Sequence, residues 1–308
     1  SSSRRSFLAA TGLASAGLLW RPGDAWAGTS LARTPAPPSA PASADTGARL
    51  LGTSRLLRDE GLARSAVDAA QKAGASYADV RLVQWQREQL AVRDDHVSNV
   101  GLREEYGLGV RVLADGGWGF AATSRLDSKA VTEAARAAVA MAKRSALLMP
   151  EPVALAPTGV VRGAWVSPVE VDPFLVPIAE KVDLLLAAAR GAMAVKGVQH
   201  VDASILSVRE EKLLITSEGS RVHQIFYRVM PGLTATAIDR RRGRFASRDH
   251  EVAPMLAGFE HVRAADLVGQ APQIAEEALR KLHAAPVVPG KKQVILAPSN
   301  LWLTIHES

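Results

Sequence analysis

Everything in this chain that can build a core follows a proline-rich tether. Residues Thr34 to Ser43 read Thr-Pro-Ala-Pro-Pro-Ser-Ala-Pro-Ala-Ser, a run without large apolar side chains whose prolines deny the backbone regular hydrogen bonding. Residues 28–50 are therefore expected to form an extended linker, with folding beginning near Leu50. The stretch before it reads as an address. Ser3-Arg4-Arg5-Ser6-Phe7-Leu8 is a twin-arginine pattern, Leu8 to Trp20 is apolar, and Ala25-Trp26-Ala27 supplies a small-x-small cleavage site. About a dozen apolar residues fall short of the roughly 20 that a spanning helix needs. Residues 1–27 are thus read as a cleaved twin-arginine signal rather than a stable membrane anchor. The mature protein is expected in the periplasm or outside the cell, by a route that carries folded proteins and suits a metalloenzyme.

Composition narrows the chemistry. The 308 residues contain no cysteine, which removes disulfides, iron–sulfur clusters and thiolate catalysis and leaves His, Asp and Glu as metal-capable side chains. The formal charge of +6 is mild. The densest basic run, Arg240, Arg241, Arg242 and Arg244, lacks the interleaved aromatics of a single-strand binder and any groove-reading motif. It reads as a solvated hairpin end, and no nucleic-acid partner is expected.

Periodicity sorts the rest into two units. In Ser54 to Ala73, Leu56, Leu57, Leu62, Ala66, Val67 and Ala70 recur at helical spacing, and Gly74 offers a left-handed cap. Tyr77 to Gln84 and Gln89 to Arg93 read as strands, and Gly107 to Thr123 as a hairpin turning at Asp115-Gly116-Gly117. An alanine-dominated helix is expected from Asp127 to about Ser145. These elements make an N-terminal domain, 51–149, and the proline-broken 150–168 a connection. A middle domain, 169–288, is expected to hold helices over Phe174–Val195 and Ala264–His283. Its strands are placed at Val201–Arg209, Lys212–Thr216, Gln224–Val229 and Thr234–Asp239. The fold class is α+β: two units of helices with mostly antiparallel sheets.

The chemistry is sought at the end of the chain. Pro298 to Ser308 follows a β-rich run, Gln293 to Leu296, and reads as a helix entered through a Ser299 or Asn300 cap. It carries His306-Glu307. In helical zinc peptidases a His binds metal while the adjacent Glu polarises the metal-bound water, with a second His about a turn on. Alone the dipeptide says little, for His250-Glu251 is another in the same chain. His96, His200, His223, His261 and His283 show no zinc-pair spacing and read as structural or exposed. Gly107, Gly109, Gly116, Gly117 and Gly119 lie between strands, where no phosphate-cradling strand-to-helix turn can form. Trp118 and Phe120 flank Gly119; core packing is their ordinary role, and a glycine-rich edge that takes a peptide strand is the functional alternative.

Three segments give those residues a context. Gly107-Leu-Gly-Val-Arg-Val-Leu-Ala-Asp-Gly-Gly-Trp-Gly-Phe-Ala-Ala-Thr123, Thr216-Ser-Glu-Gly-Ser220 and Leu301-Trp-Leu-Thr-Ile-His-Glu-Ser308 resemble, in order and spacing, segments of the TldD/PmbA family of metallopeptidases. The third is similar to the lead-in of that family's His-Glu-x-x-x-His zinc motif. The resemblance implies a zinc-dependent peptidase acting on peptides or partly unfolded proteins, with His306 as first zinc ligand and Glu307 as catalytic general base through a bound water. It also implies a homo- or hetero-oligomer with a TldD/PmbA-like subunit. Residues 289–308 would then open a C-terminal catalytic domain that is largely missing, so the zinc site is incomplete here and the fragment inactive. The other reading is a non-catalytic PmbA-like partner or peptide-binding scaffold module. Ligands five apart would sit about 140° apart on a regular helix, so the full motif demands a local widening or an early helix end.

Overall fold

The computed structural model describes Gly52 and residues 54–307; the segments read above as an export signal and as a proline-rich linker lie outside them. Helices α1 (Arg55–Arg58) and α2 (Glu60–Lys72) precede β1 (Tyr77–Arg93), β2 (His96–Ala114) and β3 (Gly117–Thr123). Then come α3 (Ser128–Ala146), β4 (Arg162–Val166), α4 (Ile178–Met193), β5 (Val198–Thr216), β6 (Arg221–Asp239) and β7 (Arg244–Asp249). Helices α5 (Phe259–Ala264), α6 (Leu267–His283) and α7 (Pro298–His306) complete the described order.

All seven strands join one sheet, ordered β3-β2-β1-β5-β6-β4, with β7 also on β6. Every pairing is antiparallel except β4 on β6. The α+β class expected from periodicity is the observed one. Apart from Leu113, the buried apolar side chains of the strands fall on one sheet face, where the helices cover them in two large clusters and Ile225 and Tyr227 pack on Val169 in a third, small one. Leu82, Val110, Val112 and Leu213 meet Ala63, Val67, Val131 and Ala135 of α2 and α3. Leu90, Ile205, Val229 and Leu233 meet Leu185, Ala189, Ile274 and Ala278 of α4 and α6.

Local chemistry explains most boundaries. Asp127 caps α3 by accepting from the Ala130 amide at 2.8 Å, and Ser54 caps α1 through Leu56. Asp115 and Gly116, at φ 52° and 81°, make the tight turn between β2 and β3. Pro231 sits inside β6 at no cost to the ladder. Its nitrogen shares the outward direction of Val229, whose amide bonds Met255, and neither β4 nor β7 reaches position 231.

The structure corrects several expected elements. The first helix breaks at Asp59 into α1 and α2, and the helix expected over Ala264–His283 breaks at Ala265-Asp266, where Asp266 turns left-handed at φ 46°. Each pair of short strands expected in β1, β5 and β6 is one long strand. Strands β4 and β7 were not expected. Gln293 to Leu296 forms no strand, and α7 starts at Pro298, so Ser299 and Asn300 lie within its first turn instead of capping it.

Candidate functional site

The sequence-predicted pair lies at the exposed end of α7. His306 is its last residue and Glu307 the turn that follows, and both are exposed. They are neighbours along the chain, but among the described residues no group of three His, Cys, Asp or Glu converges to hold a metal. A catalytic zinc takes three protein ligands. The described residues therefore supply at most the beginning of such a site and do not fit the ion by themselves.

The glycine hairpin is a packing device. A Cβ on Gly119 would stand 2.0 Å from the Ala138 carbonyl oxygen, and one on Gly117 would stand 2.3 Å from that of Ala142. Strand β3 thus lies directly against the backbone of α3, whose facing side is cut down to Ala134, Ala135, Ala138 and Ala142. Glycine on the strand and alanine on the helix are one adaptation. Gly119→Ala is expected to cost about 3 kcal/mol, the upper end of overpacking penalties, because backbone cannot step aside as a side chain can. Gly109→Ala, where the added carbon meets only the Phe120 ring at 3.2 Å, should cost under about 1 kcal/mol. Equal urea midpoints for the two variants would contradict this assignment.

On the opposite face of this hairpin, Arg81, Val83, Trp85, Arg111, Phe120 and Ala122 line an open trough of about 930 Å³ floored by Gly107 and Gly109, while Tyr106 points to the helix-covered face, where its hydroxyl donates to Asp59 at 2.6 Å. Trp118 is half-buried, edge-on to Tyr77, with the Arg111 guanidinium 4.9 Å from its ring. Neither ring takes the expected core role: Trp118 is half-buried on the sheet face away from the helices and Phe120 is exposed.

The Thr216–Ser220 segment closes the β5–β6 turn with Gly219 at φ 97°. Its Ser217 exchanges bonds with Ala78, donating its amide to the carbonyl and accepting the Ala78 amide on Oγ at 3.0 Å. The turn is therefore stitched to the start of β1.

Sequence reasoning missed a buried polar seam between the two apolar clusters. It runs across the helix-covered face of the sheet through Gln84 and Glu88 of β1, Ser207, Arg209 and Glu211 of β5, and His223 of β6. Glu211 is fully buried and is the hub. One carboxylate oxygen accepts from the Ser54 hydroxyl and from His223 Nε2 at 2.7 Å, and the other accepts from Arg209 at 2.6 Å. Burial pushes its carboxyl up, but the hydrogen bonds of His223 and Ser54 and the charge of Arg209 outweigh it and hold the group below the ordinary carboxylate value. Nearby, the fully buried Lys181 of α4 reaches the sheet, donating to Glu88 at 2.5 Å and to the Pro173 carbonyl at 2.6 Å. Tyr227 donates to Asp172 at 2.8 Å. The signal was present in Glu88, Arg209 and Glu211, charged residues on the inward parity of apolar strands.

The remaining histidines are dispersed. His200 contacts Asp94, His96 contacts Asp95, His261 contacts the Ala253 carbonyl, and His283 ends α6.

Comparison with known proteins agrees with this architecture. Residues 78–142 match the domain described as PmbA/TldA metallopeptidase domain 1, and residues 172–285 match the PmbA/TldA metallopeptidase central domain. Two curated relatives carry the name metalloprotease. One, from Methanothermobacter thermautotrophicus, is 27% identical over 234 residues, covering 75% of this chain and 49% of that protein. The other, from Methanocaldococcus jannaschii, is 24% identical over 233 residues, covering 75% and 50%. TldE from Thermococcus kodakarensis shares the fold with a TM-score of 0.54 at 18% identity, over 75% of this chain and 49% of that one. So does a Bacteroides thetaiotaomicron protein solved as a candidate modulator of DNA gyrase, with a TM-score of 0.57 at 19% identity, over 74% and 51%.

The fold and these matches define an α+β member of a metallopeptidase family. Matched in two successive domains that together exceed half its length, the chain belongs to the PmbA/TldD family. It spans about half the length of the curated relatives it matches.

Proposed function

We propose that this chain is the N-terminal and central part of a zinc-dependent peptidase that hydrolyses peptides or partly unfolded proteins. Within it, His306 would be the first metal ligand and Glu307 the general base. The observation that carries the reading is the His306-Glu307 pair, presented on the exposed end of a helix in a chain whose relatives are named metalloproteases. The same reading assigns an oligomer with a TldD/PmbA-like subunit and export by the twin-arginine route. The trough along Trp85, Gly107 and Phe120 has an exposed aromatic rim and a side-chain-free floor, which supports an extended-peptide substrate. One imidazole and one carboxylate hold no catalytic zinc alone, so the remaining ligands fall to sequence outside these 308 residues.

Metal analysis of the 308-residue chain after dialysis tests this. The expected result is zinc far below one equivalent and no peptide cleavage, with both gained in a longer chain that carries a His five residues after His306. Stoichiometric zinc and turnover in the 308-residue chain would move the site to other residues. A longer sequence without that His would favour the non-catalytic partner or scaffold reading.

A further inference from the structure

The β6–β7 hairpin ends in Asp239-Arg240-Arg241-Arg242-Gly243-Arg244, and its arginines are exposed. Asp239 shapes the turn by accepting the amides of Arg241 at 3.0 Å and Arg242 at 3.2 Å, and Gly243 closes it at φ 61°. That carboxylate also sits 3.9 Å from the Arg242 guanidinium. Among the described residues, Arg240, Arg241 and Arg244 make no ion pair, so the apex keeps its positive charge. Next to it Phe245 is 74% exposed, on the sheet face away from the helices. The apex also bounds a hollow of about 630 Å³ whose other wall is Leu279, Leu282 and His283 at the end of α6.

Three guanidinium groups without an ion-pair partner among the described residues, clustered at one apex, attract an anionic surface, and an exposed phenylalanine beside them gives that surface something to bury. We propose that the β6–β7 apex is a peripheral docking site for anionic phospholipid: the arginines pair with headgroup phosphates and Phe245 enters the headgroup–acyl boundary. The geometry favours a membrane over nucleic acid. Four arginines on a convex tip meet a plane at one spot, whereas a nucleic-acid strand needs an extended basic track with several stacking rings. This is surface association, compatible with the observation that no described helix is long and apolar enough to span a bilayer.

Sedimentation of residues 28–308, the chain without the expected signal, with phosphatidylcholine vesicles, with and without phosphatidylglycerol, tests the proposal. Binding is expected only with phosphatidylglycerol and should weaken as salt rises. Replacing Arg240, Arg241 and Arg244 by Ser should lower partitioning roughly a hundredfold, at roughly fivefold per arginine near an anionic surface. Replacing the equally exposed Arg58, Arg136 and Arg144 by Ser removes the same charge elsewhere and should leave binding nearly intact. Phe245→Ser should weaken binding while preserving its salt dependence. Unchanged circular dichroism spectra confirm that each variant is folded. Three results would overturn the proposal: no selectivity for phosphatidylglycerol, equal losses in the two triple variants, or full binding by Phe245→Ser with equal retention on single-stranded DNA. The last would make the apex a nucleic-acid site.

Discussion

Lys181→Met should destabilise this protein by about 3–5 kcal/mol, the range for breaking a buried ion pair from one side. The cost arises because Lys181 and Glu88 are both buried and Lys181 Nζ donates to both Glu88 and the Pro173 carbonyl. Removing the ammonium strands a carboxylate beside Ser207, whose buried hydroxyl has no hydrogen-bond partner of its own. The substitution preserves side-chain length, so little of the loss can be blamed on a cavity. Replacing both partners, Lys181→Met with Glu88→Leu, should recover most of it, because apolar groups of similar volume often match or exceed a buried pair. Urea unfolding of the single and double variants at constant m-value is the measurement. A single-variant loss below about 1 kcal/mol, the level of an exposed pair, would mean that water reaches the seam and that the pair does not clasp α4 to the sheet.

The same seam shows where sequence reading succeeds and where it stops. Apolar periodicity located most strand segments, the α3 helix and the glycine turn, because each is a local property of neighbouring residues; that β1 pairs with β5, so that strands of both expected units form one sheet, is not local. Periodicity cut β1 near Arg87-Glu88 and β5 near Glu210-Glu211, because charge in the middle of an apolar strand reads as a loop. In the fold those segments continue the strand, with Glu88 and Glu211 facing inward onto partners that include side chains more than ninety positions away: Lys181 for Glu88 and Ser54 for Glu211. No window of the chain contains both halves of either interaction. The break expected between Val229 and Thr234 fails in the same way: it contains Pro231, whose tolerance depends on a gap between β4 and β7 that only the assembled sheet reveals. Glycine spacing flagged the β2–β3 hairpin correctly, but its purpose, contact with the α3 backbone, required a helix that begins after the motif ends.

At His306-Glu307 the sequence said more than the fold of these residues does. His306 and Glu307 came from resemblance to a motif, and in the structure they stand exposed with no third ligand nearby among the described residues. The roles proposed for them separate by experiment on the complete protein. His306→Ala removes an imidazole donor and should abolish both zinc retention and peptide turnover. Glu307→Gln keeps that donor and nearly the volume of the carboxylate but removes the group that accepts a proton, so zinc should remain bound while turnover falls by about 10²- to 10⁴-fold. Because Glu307 is exposed at the end of α7, the amide should not unfold the helix, and the thermal midpoint should match that of the parent. Zinc content and turnover measured on the same preparations decide the matter. Near-normal turnover by zinc-loaded Glu307→Gln would remove Glu307 from the role of base while leaving His306 as a ligand, and retained zinc in His306→Ala would remove His306.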